Sequence, residues 1–229
     1  MNARIALFLV GLVSGIAQAG EADVKKTWES TLKFPATSVT KSGYLGLYEV
    51  FANGEIYYTD EKVSAVFQGD LIDAKSRQNI TQGRLQKLNA IKFADLPLDQ
   101  AVKLVRGNGN RVFATFEDPN CGYCKRLARD VATLNNATVY VFMYPILGQD
   151  SVSKSERIWC APDRAKAWGD WMVQGAEPPA GSRCDVSALT RNLELGRKLR
   201  VNGTPTMFFT NGERAPGAIP LAEIEKRLN

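Results

Sequence analysis

The apolar residues near the start of the predicted mature chain repeat at a helical spacing. Val24, Trp28 and Leu32 recur every four positions within residues 21–34, which predicts a short amphipathic helix. Pro35 follows and cannot continue a helix, so the element is expected to end before it. The spacing then changes, which indicates that a different kind of secondary structure begins.

Runs rich in β-branched and aromatic residues follow at 45–51, 55–59 and 64–68. Such runs predict strands. The first two are joined by Asn53-Gly54, a pair typical of tight hairpin turns, and Gly69-Asp70 marks a further turn. The pattern predicts a small antiparallel sheet packed on one helix.

A second helical pattern connects this sheet to the rest of the chain. Thr81 is a candidate N-cap, and Leu85, Leu88 and Ile91 fall on one side of the predicted helix. We interpret it as a linker between two domains. The expected organisation is a leader at 1–19, an N-terminal domain at 20–78, a linker helix at 79–92 and a second domain at 93–229.

The second domain mixes strands and helices. Its predicted elements are a strand at 111–116, a turn at 118–120, a helix at 121–135, a strand at 138–144, helical structure at 152–174, a helix at 186–199, a strand at 206–210, a turn at 211–212 and a helix at 221–228. The order of these elements is that of the thioredoxin fold. Two cysteines lie at the start of a helix between two strands, and a Gly-Thr-Pro precedes a later strand. The expected fold class is therefore α+β, with the segment at 152–174 as a helical insert.

The first nineteen residues have the pattern of a secretory signal. Arg4 precedes an apolar run at 5–13, and Ala17-Gln18-Ala19 supplies small residues for cleavage. The run is shorter than the roughly 20 apolar residues that span a bilayer. We therefore expect an exported, soluble protein, with an oxidising compartment as the default for its four cysteines.

Charge and composition exclude several classes of function. The chain has 29 Lys and Arg against 24 Asp and Glu, a net charge of +5, and its basic residues alternate with acidic ones. No basic patch for nucleic acid is indicated. The sequence contains no histidine, which excludes Ser-His-Asp and Cys-His mechanisms and nearly every catalytic zinc site.

Cys121 and Cys124 form a CxxC pair with four possible uses. A haem anchor needs histidine where Lys125 stands. A zinc site would also need Cys160 and Cys184, which are 24 positions apart and lack paired-knuckle spacing. A structural bridge across four residues would be the least stabilising crosslink. A redox pair is favoured, with the zinc site and the structural bridge left as weaker alternatives.

The redox interpretation has a physical basis in the predicted helix. A helix N-terminus stabilises a thiolate at Cys121, and Lys125 and Arg126 add positive charge nearby. Cys121 is then the nucleophile and Cys124 the resolving thiol. The remaining pair, Cys160 and Cys184, is expected to form a structural disulfide, because no motif around either residue supports a second redox pair.

Thr204 and Pro205 form the second predicted part of the site, about 80 residues after the CxxC. A proline before a strand can hold a cis peptide bond and leaves the preceding backbone free to pair with an extended substrate. Together with Cys121 and Cys124, this pair predicts thiol–disulfide exchange.

The chain resembles the periplasmic disulfide isomerases of the DsbC/DsbG family over essentially its full length. The motifs that carry the resemblance are Cys121-Gly122-Tyr123-Cys124, Gly203-Thr204-Pro205, Ile158-Trp159-Cys160-Ala161, Ser182-Arg183-Cys184-Asp185, Gly46-Leu47-Tyr48-Glu49-Val50 and Gly69-Asp70-Leu71-Ile72-Asp73. Gly122 and Tyr123 between the cysteines are typical of the isomerase branch, whereas Pro-Tyr is typical of the DsbG branch.

The resemblance implies a thioredoxin-like catalytic domain after a small cystatin-like dimerisation domain. It further implies a periplasmic homodimer that isomerises or reduces wrong disulfides of exported proteins. A membrane-bound reductase of the DsbD type would keep its active cysteines reduced. No cofactor and no metal are implied. Cys160 and Cys184 fall where family members carry a structural disulfide. Two alternatives stay open, namely a dimeric chaperone whose cleft matters more than its thiols, and a DsbG-like chaperone that reduces sulfenylated cysteines.

The residues before Cys121 differ from thioredoxin proper. Thioredoxins carry a buried carboxylate six positions before the first cysteine, and this chain has Thr115 there. Glu117 and Asp118 are nearer to the pair in sequence. The favoured interpretation is that both are solvated residues in the turn before the helix; the alternative, that one of them reaches Cys124, stays open.

Overall fold

The computed structural model of the protein describes residues 20–179 and 184–229. The chain separates into two compact units, and the division falls between Leu85 and Gln86, inside the predicted linker helix. The predicted leader at 1–19 and the Ser182-Arg183 part of one family motif lie outside the described residues. The domain limits inferred from the sequence stay a prediction.

The first unit is a helix packed on a four-stranded antiparallel sheet. Its elements are α1 (Glu21–Leu32), β1 (Ser38–Lys41), β2 (Tyr48–Ala52), β3 (Glu55–Thr59), β4 (Val66–Gln68) and the start of α2 (Ile80–Leu88), and the strands neighbour one another in chain order. Val24 and Trp28 of α1 are buried against Tyr48 and Val50 of β2. The predicted helix and three of the strands are present, although β1 was not predicted.

Thr81 is not the N-cap of α2, contrary to the sequence-based prediction. Asn79 holds that place, since its side-chain oxygen accepts a hydrogen bond from the amide of Gln82 at 2.9 Å. Thr81 lies inside the helix and is buried, with its hydroxyl 2.7 Å from the Tyr58 hydroxyl and accepting from the Leu71 amide at 2.7 Å. The hydroxyl therefore joins the helix to the sheet of its own unit.

The second unit is a five-stranded sheet with helices. Strands β5 (Val102–Arg106), β6 (Arg111–Glu117), β7 (Ala137–Met143), β8 (Thr206–Phe209) and β9 (Arg214–Pro216) lie in the order β5-β7-β6-β8-β9, with β6 and β7 parallel and the other pairs antiparallel. The helices are α3 (Gly122–Thr133), α4 (Gln149–Trp159), α5 (Arg164–Gly169), a π-helix (Asp170–Gln174), α6 (Ser187–Lys198) and α7 (Leu221–Leu228), and short 3₁₀ turns lie at Phe93–Asp95 and Leu98–Gln100.

The central strand β6 is buried on both faces. Phe113 stacks on Phe209 of β8 with ring centroids 5.8 Å apart, and Phe116 stacks on Phe142 of β7 at 4.9 Å. Residues on a strand alternate between faces, so these two rings face opposite sides of the sheet and pack into two separate clusters. The carboxyl end of this strand leads directly into the cysteine turn.

Among the described residues, no helix has the length and apolar character needed to cross a membrane.

Candidate active site

Cys121 occupies the N-cap position of α3. Its thiol sulfur accepts the amide of Cys124 at 3.4 Å, and its own amide donates to the Asp118 carbonyl at 3.1 Å, which closes the turn after β6. Cys124 faces inward with Leu127 and is fully buried, whereas Cys121 keeps 7% of its surface exposed. The helix thus presents one sulfur at its N-terminus and hides the other.

The loop before β8 brings Thr204 and Pro205 to the cysteines. The Thr204–Pro205 peptide bond is cis, and the Cys121 thiol donates to the Thr204 carbonyl oxygen at 3.3 Å. The Pro205 carbonyl accepts the amide of Gly217, just after β9. Residues 83 positions apart in sequence are therefore in direct contact.

The two residues between the cysteines are open to solvent. Tyr123 is 67% exposed. A Cβ atom added to Gly122 would meet no atom within 4 Å among the described residues, and the residue has no positive φ. Packing among the described residues therefore does not require glycine at position 122 or tyrosine at position 123.

Glu117 is buried, which corrects the expectation of a solvated residue. It is the last residue of β6, its side chain is 2% exposed, and its Oε2 atom has no hydrogen-bond partner within the described parts of the chain. Burial raises the pKa of Glu117 to about 8, and the charge of a Cys121 thiolate adds to the rise. The carboxyl group is therefore mostly protonated at neutral pH.

Asp118 is also buried, again contrary to the prediction, but its carboxylate is fully hydrogen bonded. One oxygen accepts the Asn120 amide at 2.8 Å and the Ser151 hydroxyl at 2.7 Å. The other accepts the amides of Ile146 and Leu147 at 2.7 and 2.9 Å. Four donors replace the water that burial removes, so this residue fixes the loop after β7 to the cysteine turn.

Cys124 is held as a neutral thiol. Burial is the largest cause that raises its pKa above the ordinary value, and the Glu117 carboxylate adds to it once that group ionises, above about pH 8. A thiol in this state is a poor nucleophile, because only the thiolate attacks disulfides. The two sulfurs of the pair therefore differ in both access and reactivity.

Trp171 of the π-helix supports the turn, and sequence analysis did not single it out. Its indole N–H donates to the Pro119 carbonyl at 2.7 Å, and the ammonium groups of Lys125 and Lys154 lie 4.1 and 4.6 Å from its ring centroid. Both distances suit cation–π contacts. Lys125, which was expected to add charge near Cys121, rests on this ring.

Cys160 and Cys184 are joined by a disulfide with an S–S distance of 2.03 Å. The bond connects the C-terminus of α4 to the segment before α6. Within the described residues, no group of three or more His, Cys, Asp or Glu side chains is arranged to hold a metal ion.

Comparison with known proteins places these features in a family. A family described as "Disulfide bond isomerase protein N-terminal domain" matches residues 15–82, and one described as "Thioredoxin-like domain" matches residues 98–229. The "Probable thiol:disulfide interchange protein DsbC" of Bordetella pertussis is 51% identical over 195 residues, which cover 85% of this chain and 69% of that protein. The chain belongs to the DsbC family.

Further DsbC proteins match nearly the whole chain. The "Thiol:disulfide interchange protein DsbC" of Dickeya dadantii is 30% identical and covers 100% of this chain and 96% of its own, and that of Escherichia coli K12 is 29% identical with 96% and 92% covered. A disulfide interchange protein from Neisseria gonorrhoeae has a solved structure with a TM-score of 0.56 and 44% identity, covering 58% of this chain and 96% of that one. These findings confirm the predicted family, the thioredoxin-like α+β fold and the class of thiol–disulfide exchange.

Proposed function

We propose that the protein isomerises wrong disulfides in exported proteins, with Cys121 as the nucleophile and Cys124 as the resolving thiol. The observation that carries this assignment is the pairing of a partly exposed Cys121 at a helix N-cap with a fully buried Cys124. The Cys121 sulfur accepts the Cys124 amide at 3.4 Å, so it lies at the amide end of α3. Among the described residues, these two are the free cysteines.

The reaction begins with attack of the Cys121 thiolate on a substrate disulfide. The substrate S–S bond breaks, a bond forms between Cys121 and one substrate sulfur, and the other substrate sulfur leaves as a thiolate. A different substrate thiolate then attacks the substrate sulfur of this mixed disulfide. The Cys121 thiolate is released, a new substrate disulfide forms, and no electrons are gained or lost overall.

Reduction is the competing exit from the same mixed disulfide. Cys124 would lose its proton and attack the Cys121 sulfur. The bond between Cys121 and the substrate breaks, a Cys121–Cys124 disulfide forms, and the substrate sulfur leaves as a thiolate that takes up a proton, so the substrate is reduced by two electrons. Because burial raises the pKa of Cys124 and keeps it a neutral thiol, this exit is slow. The mixed disulfide then persists long enough for a substrate thiol to resolve it, which supports isomerisation as the main outcome.

Thr204, Pro205, Gly122 and Tyr123 complete the proposed site. The Thr204 carbonyl holds the Cys121 thiol, and the backbone around Pro205 offers an extended substrate a strand to pair with. Tyr123 presents an exposed ring beside the nucleophile, and Gly122 leaves open space for the substrate chain. Cys160–Cys184 is proposed to be structural only.

Partners and compartment follow from the family resemblance. We infer a periplasmic homodimer formed through the N-terminal domain at 20–78, because β4 is an edge strand whose Val66 and Phe67 side chains are exposed.

A membrane-bound reductase of the DsbD type would keep the cysteine pair reduced. If freshly opened cells are quenched in acid and the proteins are then unfolded and alkylated, both Cys121 and Cys124 should be labelled; a fully oxidised pair would contradict this supply of electrons.

Recovery of activity from scrambled ribonuclease tests the proposal. The parent protein should restore ribonuclease activity in the presence of a trace of thiol, and Cys121→Ser should act no faster than the thiol alone, since its hydroxyl cannot exchange with disulfides. Thermal unfolding of both proteins checks that the variant is folded. Full isomerase activity in folded Cys121→Ser would sink the assignment.

A further inference from the structure

The loop between β7 and α4 exposes two adjacent apolar side chains. Ile146 is 42% exposed and Leu147 is 57% exposed, whereas Tyr144 just before them is buried in the core. Single exposed apolar residues are common on proteins. These two are neighbours in a loop with a defined anchor, and the buried stretch has already ended at Pro145, so packing within the unit does not account for them.

Asp118 is the anchor of this loop. Its carboxylate accepts the amides of Ile146 and Leu147, and its carbonyl accepts the amide of Cys121 at 3.1 Å. One buried residue therefore fixes both the nucleophile's turn and the position of the two apolar residues. A buried carboxylate is tolerated only when its oxygens are well hydrogen bonded, and here four donors meet that condition.

The charge near the loop is also neutralised. Asp150 at the start of α4 accepts hydrogen bonds from Lys154 and from the Asn120 side chain. The Asp118 carboxylate is fully buried and exposes no charged atom to solvent. Ile146 and Leu147 thus offer an apolar contact, and Tyr123, two residues after Cys121, adds an exposed aromatic ring at 67% exposure.

We propose that Ile146 and Leu147 form an apolar ledge that binds aliphatic side chains flanking the cysteine of an unfolded substrate polypeptide, and that Asp118 is a positioning residue for it. This inference rests on the proposed function, because it supplies a substrate preference for the same site. The occupant is an unfolded chain, since apolar side chains next to a disulfide are accessible mainly when a protein has not folded. The ledge favours such chains over folded proteins whose apolar residues are buried.

The test compares two disulfide-bonded peptides of equal length, one with leucine and one with serine on both sides of each cysteine, together with glutathione disulfide. In an Ile146→Ser, Leu147→Ser double variant, KM for the leucine peptide should rise about tenfold, as expected when part of the burial of two aliphatic side chains is lost. Its kcat should not change, nor should exchange with the serine peptide or glutathione disulfide. Val105→Ser, at an exposed apolar residue of β5, is the matched control and should behave like the parent.

Asp118→Asn tests the positioning role. An amide places an NH₂ group where two donors now converge, so the loop should be released and the leucine peptide should lose its advantage over the serine peptide. An unchanged KM for the leucine peptide in the double variant overturns the ledge while exchange itself stands. A parent protein that exchanges with none of the three disulfides overturns the proposed function, and the ledge with it.

Discussion

Cys121 and Cys124 are the same residue type three positions apart, and their surroundings give them different chemistry. Cys121 lies at the helix N-cap, where it contacts the Cys124 amide and the Thr204 carbonyl and keeps some exposure. Cys124 is fully enclosed on the inner face of α3. Position relative to the helix end, rather than residue type, accounts for the division into nucleophile and resolving thiol.

The buried carboxyl group of Glu117 predicts an unusual pH dependence of stability. Below about pH 4.5 it is protonated in both the folded and unfolded states and contributes nothing to the pH dependence. Between pH 4.5 and about 8 the unfolded chain loses the proton while the folded protein keeps it, so stability falls as pH rises. At roughly 1.4 kcal/mol per pKa unit, the loss reaches about 5 kcal/mol.

Glu117→Gln should remove this slope. The variant is expected to match the parent near pH 4.5 and to be several kcal/mol more stable at pH 8, as measured by urea unfolding at four pH values. Glu194→Gln, at an exposed carboxylate of α6, controls for the loss of one negative charge. Parallel curves for the parent and Glu117→Gln across this range would contradict the burial of an ionisable carboxyl group.

At the residue scale the sequence identified the chemistry but not its environment. Cys121, Cys124, Thr204 and Pro205 were predicted from spacing and motif, and the structure brings the nucleophile and the Thr204 carbonyl together. The burial of Glu117 and Asp118 was missed, because charged residues before a helix are usually solvated. The available signal was the continuous apolar run that precedes them, which marks a central strand whose end can also be enclosed.

At the element scale, strong periodic patterns were predictive and short elements were not. The strand at 55–59 and the helix at 221–228 were predicted at their observed limits. Strands β1 and β5 were missed, and β9 was implied only by the predicted hairpin turn at 211–212. β1 has four residues of mixed polarity, and β5 carries Lys103 and Arg106 on an edge of the sheet, so neither shows a clear alternation. Their formation depends on pairing with β2 and β7, which a local pattern does not reveal.

The disulfide between α4 and α6 should stabilise the second unit. Closing a loop of about 25 residues restricts the unfolded chain by roughly 3.5 kcal/mol. A Cys160→Ala, Cys184→Ala double variant should therefore lower Tm by roughly 10 °C. Scanning calorimetry measures the shift, and exchange with glutathione disulfide should persist in the folded variant. Loss of that exchange at a temperature where the variant is folded would show that the bond has a catalytic role.

At the scale of the whole molecule, the exposed edge strand β4 predicts self-association. Sedimentation equilibrium at micromolar concentration should give twice the mass of one mature chain. Phe67→Asp should shift the protein toward monomer, because it adds a charge to an exposed apolar edge. Ile72→Asp, at another exposed apolar residue of the same unit, shows whether the effect is specific to the edge. A monomeric parent would contradict the proposed homodimer.

Trapping of the mixed disulfide tests the central claim most directly. With Cys124→Ser, the Cys121–substrate bond can be released only by an external thiol, so incubation with scrambled ribonuclease followed by acid quenching and alkylation should accumulate a covalent adduct. Peptide mapping by mass spectrometry should place the substrate cysteine on Cys121, and Cys121→Ser should form no adduct. An adduct at another cysteine, or none while the parent protein remains active, would contradict the account.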